Sequence, residues 1–168
     1  MIDREATIVD HDIIDAQRLI VDEFEFVDGW IERYETLIDL GRRLAPMPAS
    51  LRNDRNRIRT CQGDAWLAGI RRDGRLHLSA ASETGVLAGL LAIIVEVYSG
   101  RAAEDVLHHP LVVLETTGLS QRLSPHRLAA CREILVRLRA RVIGRRSGAG
   151  VGYILRIAAP TLAMNALR

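Results

Sequence analysis

Residues 65–80 read AWLAGIRRDGRLHLSA, a stretch that combines strand-like runs with a tight-turn dipeptide. Two runs of strand-like residues flank Asp73-Gly74, a dipeptide in which both residues readily adopt the positive φ that a tight hairpin turn requires. The second run alternates, so His77 is expected on the face opposite to its two leucine neighbours. The stretch therefore predicts an antiparallel β-hairpin.

Helical patterns surround this hairpin. Apolar residues at helical spacing predict a first helix from Ile13 to Phe24 and a second from Asp28 to Leu44, with Asp28 as its N-cap. The run from Val86 to Tyr98 is apolar on nearly every side and too short to cross a bilayer. We expect it to be a buried central helix, capped by Ser82.

The remaining segments complete the predicted architecture. Residues 50–61 are polar and arginine-rich, which indicates a loop that leads into one short strand. Ser124 and Pro125 predict the start of a last helix. Its apolar stripe would consist of Leu128, Cys131, Leu135, Leu138 and Val142. The predicted fold class is α+β, with several helices packed on a small three-stranded antiparallel sheet. Residues 1–143 would form this domain, and residues 144–168 a linker and tail of unknown role.

Composition excludes several classes of protein. The chain has 168 residues, of which 48% are hydrophobic and 26% charged, as expected for one globular domain rather than a disordered segment. A net charge of +2 gives no reason to expect a nucleic-acid or membrane partner. The sequence contains neither a C-x-x-C nor an H-x-x-x-H pair, so we expect no metal site. The N-terminus lacks the order of a signal peptide, which favours a cytoplasmic protein with reduced thiols.

The two cysteines occupy different settings. Cys131 lies on the apolar stripe of the last helix, so we expect a buried core thiol. Cys61 lies between the short strand and the hairpin, and Arg55, Arg57 and Arg59 precede it within six residues. A guanidinium that reached the sulfur would favour the thiolate. By spacing alone, Cys61 is either such a reactive thiol or a half-buried loop residue without chemistry.

Four segments resemble, in order, motifs of the SufE family of sulfur-acceptor proteins. They are WIERYETLIDLGRRLAPMP at 30–48, NRIRTCQGDAW at 56–66, GLLAIIVEVYSGR at 89–101 and GLSQRLSPHR at 118–127. The second resembles the family's N-x-(I/V)-x-G-C-Q-S-x-V-W, although Thr60, Gly63 and Ala65 stand where the family has glycine, serine and valine. The resemblance extends from about Ala16 to Ile143.

This resemblance implies a SufE/IscU-like fold and a role in iron–sulfur cluster assembly. Cys61 would accept persulfide sulfur from a cysteine desulfurase, whose own cofactor is pyridoxal phosphate, and pass it to an iron–sulfur scaffold complex. The chain would need no cofactor itself, and a homodimer stays open. The alternative is a non-catalytic adaptor that regulates the desulfurase by surface contact.

Five further residues are candidates for partner binding or for tuning the thiol. They are Gln62, Arg59, Asp64, Glu83 and Arg127, of which Arg127 matches the arginine of the family's S-P-x-R segment. Simpler interpretations stay open for three of them. Asp64 and Glu83 would be loop or cap carboxylates, and Arg127 an exposed arginine in the first turn of a helix.

Overall fold

The computed structural model describes residues 12–60 and 63–144, which form an α+β fold. The helices are α1 (Ile13–Glu25), α2 (Trp30–Arg42), α3 (Gly85–Tyr98), α4 (Ala103–His108), α5 (Val113–Thr116) and α6 (Pro125–Gly144). The strands are β1 (Arg57–Thr60), β2 (Gly63–Arg72), β3 (Arg75–Ser82) and β4 (Arg101–Ala102), and short 3-10 turns cover Ala49–Leu51 and Leu119–Gln121. The strands form one antiparallel sheet in the order β1-β2-β3-β4. The predicted fold class is confirmed.

The hairpin of β2 and β3 forms as predicted. Asp73 and Gly74 both adopt positive φ, at 52° and 77°, between the paired residues Arg72 and Arg75. His77 is exposed, and the preceding Leu76 is only 5% exposed. The alternation of the sequence therefore reports the two faces of β3 correctly.

The sheet has a fourth strand, where the sequence predicted three. β4 contains only Arg101 and Ala102, which pair with Leu76 and Arg75. Gly100, at φ +79°, turns the chain after α3 and donates its N–H to the carbonyl of Leu76 at 2.6 Å. A two-residue strand carries no alternation of polar and apolar residues, so no period could have indicated it.

Helix α3 is the centre of the core and crosses α2 at very close range. Nine of its 14 residues are buried. At the crossing, a Cβ atom added to Gly89 would lie 2.1 Å from the carbonyl oxygen of Leu37, and one added to Gly41 would lie 2.7 Å from the backbone nitrogen of Gly89. The two backbones touch because both positions are glycine.

Two predicted N-caps, Asp28 and Ser82, are wrong. Helix α2 begins at Trp30 with Gly29 as its N-cap, so Asp28 does not cap it. The Glu32 carboxylate folds back over Gly29 and occupies the space that a capping side chain would need. Helix α3 begins at Gly85 after Thr84.

Ser82 does not cap α3, because it belongs to the end of β3. Its hydroxyl accepts a hydrogen bond from the N–H of Thr84 at 3.2 Å and donates one to the carbonyl of Asp64 at 3.3 Å. The serine therefore fastens the turn between β3 and α3 to β2. A short polar residue in such a turn has the same sequence signature as a cap.

Helix α6 begins as the sequence predicted. The Ser124 hydroxyl accepts from the N–H of Arg127 at 3.4 Å, and Pro125 is the first helical residue. Cys131, Leu138 and Val142 are buried, whereas the predicted stripe residues Leu128 and Leu135 are only partly so. Ala130 and Ile134 are also buried in this helix, because the core-facing surface is rotated relative to the predicted stripe.

The segment that leads into α6 is held on α2. Arg33 donates to the carbonyl of Thr117 at 2.7 Å, and the hydroxyl of Tyr34 donates to the carbonyl of Arg122 at 3.0 Å. The Arg122 guanidinium stacks over Trp30 at 4.7 Å from the ring centre. These contacts fix where α6 starts.

Candidate functional site

The candidate site lies at the connection between β1 and β2. These strands pair from Arg57 opposite Trp66 to Thr60 opposite Gly63. Cys61 and Gln62 alone join the paired ends, and both lie outside the described residues. The prediction that Cys61 follows a short strand and precedes the hairpin is confirmed.

Gly63 opens β2 in a conformation that needs glycine. Its φ is +126°, and a Cβ atom there would lie 3.0 Å from the side-chain methyl of Thr84. Side chains are rarely tolerated at such a φ. The glycine on this side of the C-Q pair therefore allows the chain to enter β2 against the turn that precedes α3.

An ion pair joins the two strands close to this connection. The Arg57 guanidinium donates from Nε and Nη2 to Oδ1 of Asp64 at 2.9 and 2.6 Å, and Nη2 also reaches Oδ2. Both side chains are about two-thirds buried, with exposed fractions of 37% and 31%. The hydrogen bond with Asp64 raises the pKa of Arg57 above its ordinary value. This guanidinium is therefore engaged by a carboxylate of its own chain.

The backbone of Asp64 is held from its other side by the turn between β3 and α3. Its carbonyl accepts the N–H of Glu83 at 3.0 Å, and its N–H points to a carboxylate oxygen of Glu83 at 3.4 Å. Glu83 is exposed, and Asp64 is half-buried in β2. Asp64 is thus a strand residue with two sets of intramolecular contacts, rather than a loop carboxylate.

Helix α6 holds the β1 side of the same pair. Nη1 of Arg137 donates to the backbone carbonyl of Arg57 at 2.7 Å, and its Nη2 pairs with Glu133 at 2.6 Å. Arg137 and Glu133 are not among the residues predicted from the sequence. No local pattern could have indicated them, because their role depends on where α6 lies against β1.

The predicted arginines divide between the two ends of β1. Arg59 is exposed and faces Asp64 in the register. Arg55 lies at the opposite end of the strand, where it lines a cleft of about 420 Å³ with Ala68, Gly69 and Val142 among others. Of the arginines that precede the cysteine, Arg59 is the one at the end of β1 that leads to Cys61.

Arg127 lies in the first turn of α6 and is half-buried. Helix α6 meets β1 at Arg137 and reaches the cleft beside the start of β1 at Val142, so it runs opposite to the strand. From Arg137 back to Arg127 the helix rises about 15 Å. From Arg57 to Thr60 the strand advances about 10 Å. The N-terminal half of α6 therefore extends toward the end of the β1–β2 hairpin, where Cys61 and Gln62 connect the two strands.

The second cysteine is a core residue, as predicted. Cys131 is 2% exposed. Burial, with a smaller contribution from Glu115, raises the pKa of its thiol to about 12. The thiolate is the form that acts as a nucleophile or a metal ligand, and almost none of it forms on this thiol at neutral pH.

This burial predicts an alkaline loss of stability. The unfolded thiol ionises near its ordinary pKa of 9.0, whereas the folded thiol stays protonated up to about 12. The contribution of this thiol to the free energy of unfolding is therefore nearly complete below pH 9 and is lost as the pH rises, by about 1 kcal/mol between pH 9 and 10. Urea unfolding at both pH values should show this decrease, and Cys131→Ala should remove its share. An unchanged decrease in the variant would mean that the folded thiol ionises freely.

The described part of the chain contains no group of three or more His, Cys, Asp or Glu side chains that could hold a metal ion. His108 and His109 lie at the end of α4, where each ring bonds to a backbone carbonyl one turn earlier.

Among the helices of residues 12–60 and 63–144, none is long and apolar enough to cross a membrane.

Comparison with known proteins identifies the family. The family model of the Fe-S metabolism associated domain, SufE, matches residues 18–142. The chain belongs to the SufE family. Membership gives it a role in iron–sulfur metabolism that is associated with sulfur transfer and with a cysteine desulfurase.

Two relatives agree with SufE membership, and a solved structure agrees with the fold. An uncharacterized SufE-like protein of Rhizobium meliloti is 30% identical over 131 residues, 75% of this chain and 94% of that protein. One of Rhizobium etli is 28% identical over 125 residues, 71% and 84% of the two chains. The solution structure of a hypothetical protein from Thermus thermophilus matches with a TM-score of 0.63 and 20% identity. It covers 80% of this chain and 96% of its own, and it supports the fold alone.

Proposed function

We propose that this chain is a sulfur acceptor, in which Cys61 takes the outer sulfur of a persulfide on a cysteine desulfurase and passes it to an iron–sulfur scaffold complex. One observation carries the proposal. In a chain of the SufE family, the C-Q pair forms the whole connection between two paired strand ends. A hairpin end is a suitable place for a thiol that must enter the active site of another protein.

The proposed reaction is a thiol–persulfide exchange. The Cys61 thiolate attacks the outer sulfur of the desulfurase persulfide, and a new sulfur–sulfur bond forms on Cys61. The bond between the two desulfurase sulfurs breaks, and its electron pair stays on the desulfurase cysteine, which leaves as a thiolate and takes up a proton. No external oxidant or reductant is needed. Pyridoxal phosphate belongs to the desulfurase in this scheme.

The residues around the end of the β1–β2 hairpin suit a sulfur acceptor that is activated by its partner. Arg57 is neutralised by Asp64, and exposed arginines act on a neighbouring thiol only weakly in solvent. We therefore assign full thiolate formation to the moment when the desulfurase encloses Cys61 and Gln62. Arg59 and Glu83, both exposed beside this end, and Arg127 on α6 are the proposed partner contacts.

Intact-mass spectrometry tests the proposal. The full-length chain is incubated with cysteine and with the cysteine desulfurase encoded by the same genome. We expect a gain of about one sulfur atom, which reducing agent removes and which peptide mapping places on Cys61. Faster desulfurase turnover without any mass gain would instead establish an adaptor that acts by surface contact.

A further inference from the structure

We propose that Arg57 and Asp64 are positioning residues, whose ion pair holds the two arms of the β1–β2 hairpin so that Cys61 meets the desulfurase persulfide in one orientation. We call this pair the hairpin brace. The inference rests on the proposed function, since it concerns how the same cysteine is delivered.

The brace crosses the hairpin diagonally. Asp64 is paired with Arg59 in the register, and Arg57 lies two residues earlier on the same face of β1. The guanidinium reaches across with hydrogen bonds from two of its nitrogens. A diagonal bidentate contact resists both sliding and relative rotation of the strands, since either motion would break one of its bonds.

Both ends of the brace are fixed to the rest of the fold. On the β1 side, Arg137 of α6 donates to the Arg57 carbonyl at 2.7 Å. On the β2 side, the Asp64 carbonyl accepts bonds from Glu83 and Ser82 at 3.0 and 3.3 Å. Strands β1 and β2 are therefore held by α6 and by the turn before α3, and not only by one another. These contacts fix the paired strand ends that Cys61 and Gln62 connect.

The contacts of Arg57 assign it to positioning rather than to chemistry. Its guanidinium is committed to the carboxylate of Asp64 and lies four residues before the cysteine. Its loss should therefore change how often a productive encounter occurs, and not the acidity of the Cys61 thiol.

The test measures sulfur transfer to Arg57→Gln and Asp64→Asn variants over a range of desulfurase concentrations. We expect the transfer rate at saturation to fall about tenfold, because misplacing a reacting group lowers the rate of the bound complex. The half-saturating concentration should change less than about twofold, by the same argument. The exchanged pair, Arg57→Asp with Asp64→Arg, should recover most of the rate. Arg42→Gln is the matched control, since it breaks an Arg–Asp pair on the exposed face of α2.

One further measurement and one further variant keep the result interpretable. Alkylation of Cys61 by iodoacetamide should show the same pH profile in all variants, and a shifted profile would overturn the positioning role in favour of thiol tuning. If Arg57→Gln fails to fold, Arg57→Lys keeps the charge without the fork and should transfer sulfur at an intermediate rate.

Failure of the brace and failure of the proposed function look different. If the unmodified chain accepts no sulfur, the proposed function is wrong, whatever the variants do. If the unmodified chain accepts sulfur and both single variants match its rate, the function stands and the brace is refuted. A loss in Arg57→Gln that the exchanged pair does not recover would also refute the brace. The positive charge at position 57 would then matter, and not the ion pair between positions 57 and 64.

Discussion

Replacing Cys61 by serine is expected to abolish sulfur acceptance from the desulfurase and to leave the fold intact. A serine hydroxyl is not ionised near neutral pH and cannot displace a thiolate from a persulfide, so no residual rate is expected. Position 61 belongs to the two-residue connection between paired strand ends, and the substitution changes a single atom of the side chain. Intact mass after incubation with desulfurase and cysteine should show no added sulfur, with an unchanged urea midpoint.

Cys131→Ser is the matched control, because it makes the same chemical change in the core. Cys131 is 2% exposed, and a hydroxyl buried there without a partner costs about 1–3 kcal/mol of unfolding free energy. This variant should accept sulfur at the normal rate and unfold at a lower urea concentration. Sulfur on Cys131 with none on Cys61 would reverse the assignment of the two thiols.

The parts of the fold that were predictable from the sequence are those determined by residues close together in the chain. Asp73-Gly74 predicts a tight turn, and Ser124-Pro125 predicts where α6 begins. The two wrong N-cap predictions show the limit of such signals. Asp28 and Ser82 have the right chemistry for caps, but the first turn of α2 is covered by Glu32 and Ser82 is already engaged in β3. A cap signal identifies a helix end only to within a few residues.

The candidate site was predictable in part. The connection of Cys61 followed from the pattern, and the Arg57–Asp64 pair could have been deduced as well. If residues 60 and 63 pair across a two-residue connection, position 59 must face 64, and position 57 then lies diagonal to it with the opposite charge. Contacts of Arg137 could not have been deduced. Its contact with β1 depends on the packing of α6, which no spacing within β1 or α6 encodes.

The close crossing of α2 and α3 likewise could not be predicted from the sequence of either helix alone. It leads to a prediction of a large loss of stability. Gly89→Ala should destabilise the fold by about 3 kcal/mol, because a Cβ atom there would lie 2.1 Å from the carbonyl oxygen of Leu37. The obstacle is backbone, which cannot move aside as a side chain can. Helices α2 and α3 would have to separate, and that would open the most buried part of the core.

Gly85→Ala is the control on the same helix. A Cβ atom at Gly85 would meet only the Ile38 side chain, at 3.2 Å, and a side chain can give way. Alanine also favours the helical conformation over glycine, by up to about 1 kcal/mol in a helix interior, and this preference acts against the cost of that contact. In thermal unfolding, we expect Gly85→Ala to stay within a few degrees of the unmodified chain and Gly89→Ala to unfold about 6–12 °C lower. Equal midpoints for the two variants would mean that α2 and α3 are farther apart than the structure places them.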